Sequence, residues 1–199
     1  MLVRRGRELG RQAGARGVIL IGFMGAGKSS VGRTLAEQLG WTFEDLDDRI
    51  ERREGRKVAE IFRASSEEGF RRAEHAALKE LLRELRSGVQ RIVALGGGAF
   101  VQKKNAALIE AGAVPTVFLD AAVEELWRRC RQQAEEQGIE RPLLSSLEQF
   151  GELYEARQPH YLKASFRQQT GGKSVQEIAT EVMQALGLDR RRDSRGEKQ

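Results

Sequence analysis

Eight residues near the amino terminus carry the densest chemistry in the chain: Gly22-Phe-Met-Gly25-Ala-Gly27-Lys28-Ser29, a complete G-x-x-x-x-G-K-S. Glycines at those positions let backbone N–H groups curl around phosphate oxygens, and a helix starting immediately afterwards adds a favourable dipole. A lysine after the last glycine reaches the β- and γ-phosphates, and the serine hydroxyl is a ligand for Mg²⁺. The pattern predicts a nucleotide triphosphate held by Gly25, Ala26, Gly27, Lys28, Ser29 and Ser30. A plain glycine-rich turn is the competing reading, and it leaves the Lys-Ser pair without a purpose.

Further along stand Asp45-Leu46-Asp47, two carboxylates at the end of a short β-type run. If both lie on the strand they face one side, because side chains alternate with a period of two. One would then hold Mg²⁺ through water while the other meets an acceptor hydroxyl; alternatively the pair merely caps the helix that contains Ile50. Gly96-Gly97-Gly98 follows another apolar run and permits a backbone approach that side chains would block, or else makes a tight turn. Arg71, Arg72 and Arg157 could grip a carboxylate with paired bonds. Arg141 lies in the Gln137–Ser146 stretch, which has the length and position of a lid, and could neutralise charge on a transferred phosphoryl group. Each arginine taken singly also fits a solvated surface.

The elements that must position these groups alternate. Aliphatic runs at Val18–Ile21, Trp41–Glu44, Arg91–Leu95, Thr116–Leu119 and, more weakly, Ser165–Gln168 predict strands. Between and after them come helical patterns: Val31, Leu35 and Leu39 before Gly40; Phe70, Ala73, Ala77, Leu81 and Leu85; a helix through about Gln137; and Val175–Leu186. Strands alternating with helices predict a three-layer α/β domain, a central five-stranded parallel sheet covered by helices on both faces. At 199 residues and 40% hydrophobic, the chain has material for one core and not two.

The net charge is +5 and the pI near 9.6, a balance that invites a nucleic-acid reading. That charge sits at the ends: residues 1–17 hold five arginines against Glu8, and residues 188–199 five basic against three acidic residues, so the core is near −1 once +4 and +2 are taken from +5. We therefore expect solvated tails at 1–16 and 188–199 around a domain at 17–187, with any nucleic-acid binding confined to the tails and none expected of the domain. The first segment lacks serine and any apolar stretch, which argues against a transit peptide. A single cysteine, Cys130, gives no sign of an oxidising compartment, so a cytoplasmic protein without a membrane span is expected, and a monomer.

Taken in order, the P-loop, Asp45-Leu46-Asp47, Phe70-Arg71-Arg72-Ala73-Glu74, Leu95-Gly96-Gly97-Gly98-Ala99, Arg141-Pro142-Leu143-Leu144 and Arg157-Gln158-Pro159-His160-Tyr161 resemble shikimate kinase over residues 17–187. The resemblance implies a P-loop kinase fold with a lid and transfer of the ATP γ-phosphate to the 3-hydroxyl of shikimate. It implies that Asp47 contacts the acceptor hydroxyl and acts as base, that Asp45 and Ser29 serve Mg²⁺, and that Arg71 and Arg157 clamp the shikimate carboxylate. It further implies shikimate contacts from Gly97 and Gly98, Arg141 acting from the lid onto ATP, and Arg129 packing on adenine. The chain departs from the family pattern at His160, where leucine is usual, at Arg167-Gln168-Gln169-Thr170 in place of a V-D-T-like strand, and at Gly171-Gly172-Lys173, which lacks the usual proline. A related kinase for another hydroxy acid such as gluconate, and a non-catalytic shikimate-sensing module, are the alternatives. The pairing of D-x-D with two separated arginines and G-G-G disfavours the first, and the presence of Lys28 and Asp47 the second.

Overall fold

The computed structural model describes residues 16–137 and 146–188. Their strands are β1 (Gly17–Ile21), β2 (Thr42–Asp45), β3 (Arg91–Ala94), β4 (Thr116–Asp120) and β5 (Phe166–Gln169). The helices are α1 (Lys28–Leu39), α2 (Leu46–Glu54), α3 (Val58–Arg86), α4 (Lys103–Ala111), α5 (Val123–Gln137), α6 (Leu147–Tyr161) and α7 (Val175–Leu186). All strand pairs are parallel and the sheet order is β2-β3-β1-β4-β5.

Central strands must be apolar on both faces, and β1 is: all five residues of Gly-Val-Ile-Leu-Ile are buried. Its alternation fixes the layers. A Cβ placed on Gly32 of α1 would lie 3.2 Å from Leu20 Cδ1, whereas one placed on Gly17 would lie 2.9 Å from Leu85 of α3. Positions 17 and 20 differ by an odd number, so α1 and α3 cover opposite faces. The helix pattern of the sequence is met in α1, where Val31, Leu35 and Ala36 are buried and Gly40 ends the helix in the left-handed region at φ 72°. Helix α7 starts with a reciprocal cap, Ser174 accepting from Glu177 N and the Glu177 carboxylate accepting from Ser174 N.

Helix α3 is longer than the 70–85 face predicts. It begins at Val58 and breaks at Ser66, whose φ of 60° and ψ of 174° are far from helical values. The limb before the break lays Phe62 on Phe70 with ring centroids 4.4 Å apart. Such a backbone costs a non-glycine residue on the order of 1–3 kcal/mol, so the packing of that limb must hold it.

Strand order also sets where a ligand can lie. The connection after β1 runs toward β2 on one side, while that after β3 crosses to β4 on the other, so the carboxyl ends of adjacent β1 and β3 flank a topological switch point. The G-x-x-x-x-G-K-S loop follows β1 and Gly96-Gly97-Gly98 follows β3. Of the proposed tail residues, 1–15 and 189–199 lie outside the described residues, as does the stretch 138–145 with Arg141. The boundary residues are tied to the body: Arg91 N donates to Arg16 O at 2.9 Å and Leu188 N to Met183 O at 2.9 Å.

Candidate active site

Helix α1 has no side-chain cap; Gly27 precedes it in the left-handed region, φ 86°, and its first N–H groups open onto the loop. Gly25 is required twice over. Its φ is +77°, and a Cβ there would stand 2.5 Å from Leu126 O and 2.9 Å from Cys130 Sγ of α5. The loop is thus pressed against α5. Lys28 Nζ donates to the carbonyls of Gly22 and Phe23, each at 2.9 Å. Burial pulls its pKa down to about 8, although Asp45 and Asp47 oppose the shift.

The two aspartates do come together, but not as two residues of one strand face. Asp45 ends β2 and caps α2, its Oδ1 accepting from Asp47 N at 3.0 Å, and Asp47 sits in the first helical turn. The capping alternative is therefore true of Asp45 and compatible with a site. Asp45 Oδ2 accepts from Ser29 Oγ at 3.1 Å. Burial raises the Asp45 pKa against the hydrogen bonds it receives. Asp47 is pushed up to about 6, first by burial and then by the charges of Asp45 and Glu74. Its Oδ1 is buried without a hydrogen-bond partner among the described residues. Ser29 and Asp45 offer hard oxygens of the kind that supply the protein's share of a Mg²⁺ shell, the rest coming from phosphates and water. Among the described residues there is no cluster of three His, Cys, Asp or Glu that would make an all-protein cage, so this donor set fits a Mg²⁺ that arrives with a nucleotide.

Opposite the aspartates stand the two arginines. Arg71 Nη1 binds Glu74 Oε1 at 3.0 Å and Oε2 at 3.2 Å, and Arg71 Nη2 reaches the exposed Glu67 at 3.2 Å. Arg157 of α6 lies over the Phe23 ring, 5.7 Å from its centroid. The glycine loop threads between all of these. A Cβ on Gly96 would meet Asp47 Oδ1 at 2.9 Å, one on Gly97 would meet Arg157 Nη1 at 3.4 Å, and one on Gly98 would meet Arg71 Nη2 at 2.8 Å. Gly96 and Gly98 thus sit where a Cβ would crowd Asp47 and Arg71, while one on Gly97 would make an ordinary contact with Arg157.

Together these groups line one cavity of about 860 Å³. Gly25, Ala26, Gly27, Lys28, Ser29, Ser30 and Arg129 lie on its walls, as do Asp45, Asp47, Arg71, Gly97, Gly98 and Arg157. Of the residues expected at the site, Arg72 is not brought there and Arg141 lies outside the described residues. Arg129 is fixed between α5 and the end of β5, with Nη1 on Thr170 Oγ1 at 3.2 Å, Nη2 on Thr170 O at 3.0 Å and Nε on Glu125 at 2.8 Å. Lys173, Ser174 and Val175 complete that end. Arg72, the neighbour of Arg71, points elsewhere, pairing at 2.7 Å with exposed Glu68.

Sequence reasoning gave no role to Glu74, which is 1% exposed and held by Arg71 and Asn105. Its spacing of three from Arg71 on a helix is the signal that could have found it. Phe62 and Val58, which line the same cavity, follow from the limb before Ser66 that the hydrophobic pattern does not disclose.

The shikimate kinase family model matches residues 24–187. A shikimate kinase of Symbiobacterium thermophilum is 41% identical over 175 residues, covering 85% of this chain and 95% of that protein. Among solved structures, the shikimate kinase from Acinetobacter baumannii in complex with shikimate superposes with a TM-score of 0.73 at 33% identity, over 84% of this chain and 90% of that one. A gluconokinase from Sinorhizobium meliloti, with a TM-score of 0.53 at 19% identity over 86% of this chain and 91% of that one, shares the fold.

Proposed function

The chain belongs to the shikimate kinase family and catalyses the ATP-dependent phosphorylation of shikimate; from that premise we propose how its own side chains divide the work. Asp47 carries the reading, as a half-buried carboxylate with one buried, unpartnered oxygen and a pKa of about 6, in the cavity shared by the phosphate loop and the arginine pair. A carboxylate so poised can take the proton of the 3-hydroxyl near neutral pH, where one at its ordinary 3.8 would be a poorer base. Phosphoryl transfer asks little covalent work of the protein, so position and charge dominate. In this assignment the Gly25–Ser30 loop and the α1 N-terminus hold the nucleotide phosphates and Lys28 stabilises charge on the γ-phosphoryl group. Arg141 adds charge from the lid and Arg129 faces the adenine.

Ser29 and Asp45 would hold Mg²⁺, which when bound neutralises charge on the β- and γ-oxygens. Arg71 and Arg157, with the backbone of Gly97 and Gly98, grip the shikimate carboxylate and so aim the hydroxyl at Asp47. The lone, buried Cys130 is in keeping with a reducing, cytoplasmic setting. No helix among the described residues is long and apolar enough to cross a membrane.

The clamp is tested by steady-state kinetics of Arg71→Lys and Arg157→Lys. Loss of a paired, charge-assisted bond should raise the KM for shikimate about tenfold in each, with the KM for ATP unchanged. The amide analogue of shikimate should bind wild type poorly and lose little more in the variants. If that analogue is phosphorylated as well as shikimate, the carboxylate clamp is wrong.

A further inference from the structure

Behind the arginine pair stand two side chains that are not part of the cavity wall. Tyr161 is fully buried, its ring 5.2 Å from that of Phe118 on β4, so the sheet fixes where its hydroxyl lies. That hydroxyl donates to the Gly97 carbonyl and lies beside the Arg157 guanidinium, whose charge opposes the rise that burial gives its pKa. A Cβ on Gly97 would be 3.4 Å from Arg157 Nη1 and 3.6 Å from the Tyr161 oxygen, which shows how closely the three groups converge.

On the other side Asn105 of α4 is 1% exposed. Its Nδ2 donates to Glu74 Oε2 at 3.3 Å and to Ala99 O at 3.1 Å, and its Oδ1 is 2.8 Å from His75 Nδ1. Both amide protons and the carbonyl are thus engaged. Glu74 in turn grips Arg71 with both oxygens. Each arginine therefore has one buried partner line, and each line also ends on a carbonyl of the glycine loop: Gly97 for Tyr161, Ala99 for Asn105.

A free arginine side chain loses several rotamers when it clamps a ligand, and a partner already fixed in the core removes part of that loss before binding. We propose that Tyr161 and Asn105 are positioning residues for the acceptor, each locking one arginine and one side of the Gly96–Ala99 loop, so that both guanidiniums and the loop meet the substrate carboxylate as one rigid rim. The proposal rests on the reading that Arg71 and Arg157 bind that carboxylate.

Tyr161→Phe keeps the buried ring and removes one oxygen; Asn105→Leu keeps similar volume and removes the amide. Each should raise the KM for shikimate by about three- to tenfold, the worth of one hydrogen bond. The KM for ATP and kcat at saturating shikimate should stay within about twofold, as should the affinity of the uncharged amide analogue, which no clamp orients. In the double variant Tyr161→Phe/Arg157→Lys the effects should fall short of multiplying, because the hydroxyl acts through Arg157. A shikimate KM that Tyr161→Phe leaves untouched, in a protein where Arg157→Lys raises it, overturns the proposal. So does an equal loss of ATP affinity with a lowered Tm, which would make Tyr161 a packing residue only. Should Arg71→Lys and Arg157→Lys themselves leave the KM unmoved, the carboxylate reading fails first. Should Asn105→Leu not fold, the Tyr161 arm still decides.

Discussion

Replacing Asp47 by asparagine should make the protein more stable and nearly inactive. The folded-state pKa of about 6 lies above the ordinary 3.8, because burial and the neighbouring charges of Asp45 and Glu74 disfavour the carboxylate. Below pH 3.8 the group is protonated folded and unfolded alike and contributes nothing. As pH rises toward 6 the unfolded chain sheds this proton first, so the native state progressively loses stability, and above pH 6 the full cost remains. A difference of about 2 units corresponds to roughly 3 kcal/mol, an upper bound because Asp47 keeps some contact with solvent. Asparagine has nearly the same shape and no charge, so at pH 7.5 the variant should gain up to about 3 kcal/mol, or up to roughly 6–12 °C in Tm for a domain of this size. Thermal or urea unfolding at a series of pH values reads this directly: the gain should shrink between pH 6 and pH 4 and vanish below. In the same variant kcat should fall by about 10²–10⁴, the usual worth of a general base, with the KM for ATP little changed. An Asp47→Asn protein that is less stable than wild type at pH 7.5, or whose stability difference ignores pH, would refute the claim that Asp47 is held in the site at a cost.

Wild-type kcat/KM for shikimate should rise with pH through about 6 as Asp47 loses its proton, and this limb should be absent from the residual activity of Asp47→Asn. Lys28 must be charged to attract phosphates and is pulled down to about 8, so kcat/KM for ATP should decline above pH 8, while kcat, measured with phosphates already beside the lysine, should not. Arg141→Ala should lower kcat at saturating substrates by at least about tenfold with the shikimate KM unchanged, as a group acting on the transferred phosphoryl charge requires; a change confined to the shikimate KM would move Arg141 to the acceptor.

What the sequence discloses about this site follows how local each part is. The phosphate cradle is one continuous run, Gly22 to Ser29, and its strand–loop–helix setting was readable from the aliphatic run before it and the Val31–Leu35 spacing after it. Class and parallel pairing were readable for the same reason, since alternating strands and helices leave little else. The order β2-β3-β1-β4-β5 was not, because it is set by pairings between distant segments. The Asp45–Asp47 pair was found for a wrong geometric reason: a helix start, not a strand face, brings the carboxylates together. Ser66 carries no glycine or proline to announce the break in α3, and the break is what delivers Phe62 to the cavity. Asn105 and Tyr161 are the extreme case. Their partners Glu74 and Gly97 lie 31 and 64 positions away, and only the four-residue spacing of Arg157 and Tyr161 on α6 is local.

This difference in locality bears on how one architecture serves different acceptors. The phosphate cradle needs only a loop after β1 and the helix that follows, so it travels with the fold. The acceptor half draws Asp47 from α2, Arg71 and Glu74 from α3, Gly96 to Gly98 from the end of β3, and Arg157 from α6. No local motif can hold four charged groups from three helices in register around a glycine loop, and two of them, Asp47 and Glu74, already have pKa values raised by burial. An arginine without a buried partner would be left to exposed carboxylates such as Glu67, which Arg71 already reaches at 3.2 Å beside its buried partner Glu74 at 3.0 Å. The buried lines through Asn105 and Tyr161 resist that collapse from behind, without occupying the cavity. Exchanging the acceptor on this scaffold therefore requires changing those supports together with the arginines, because a new clamp set on the old supports would be aimed at the position of the old carboxylate.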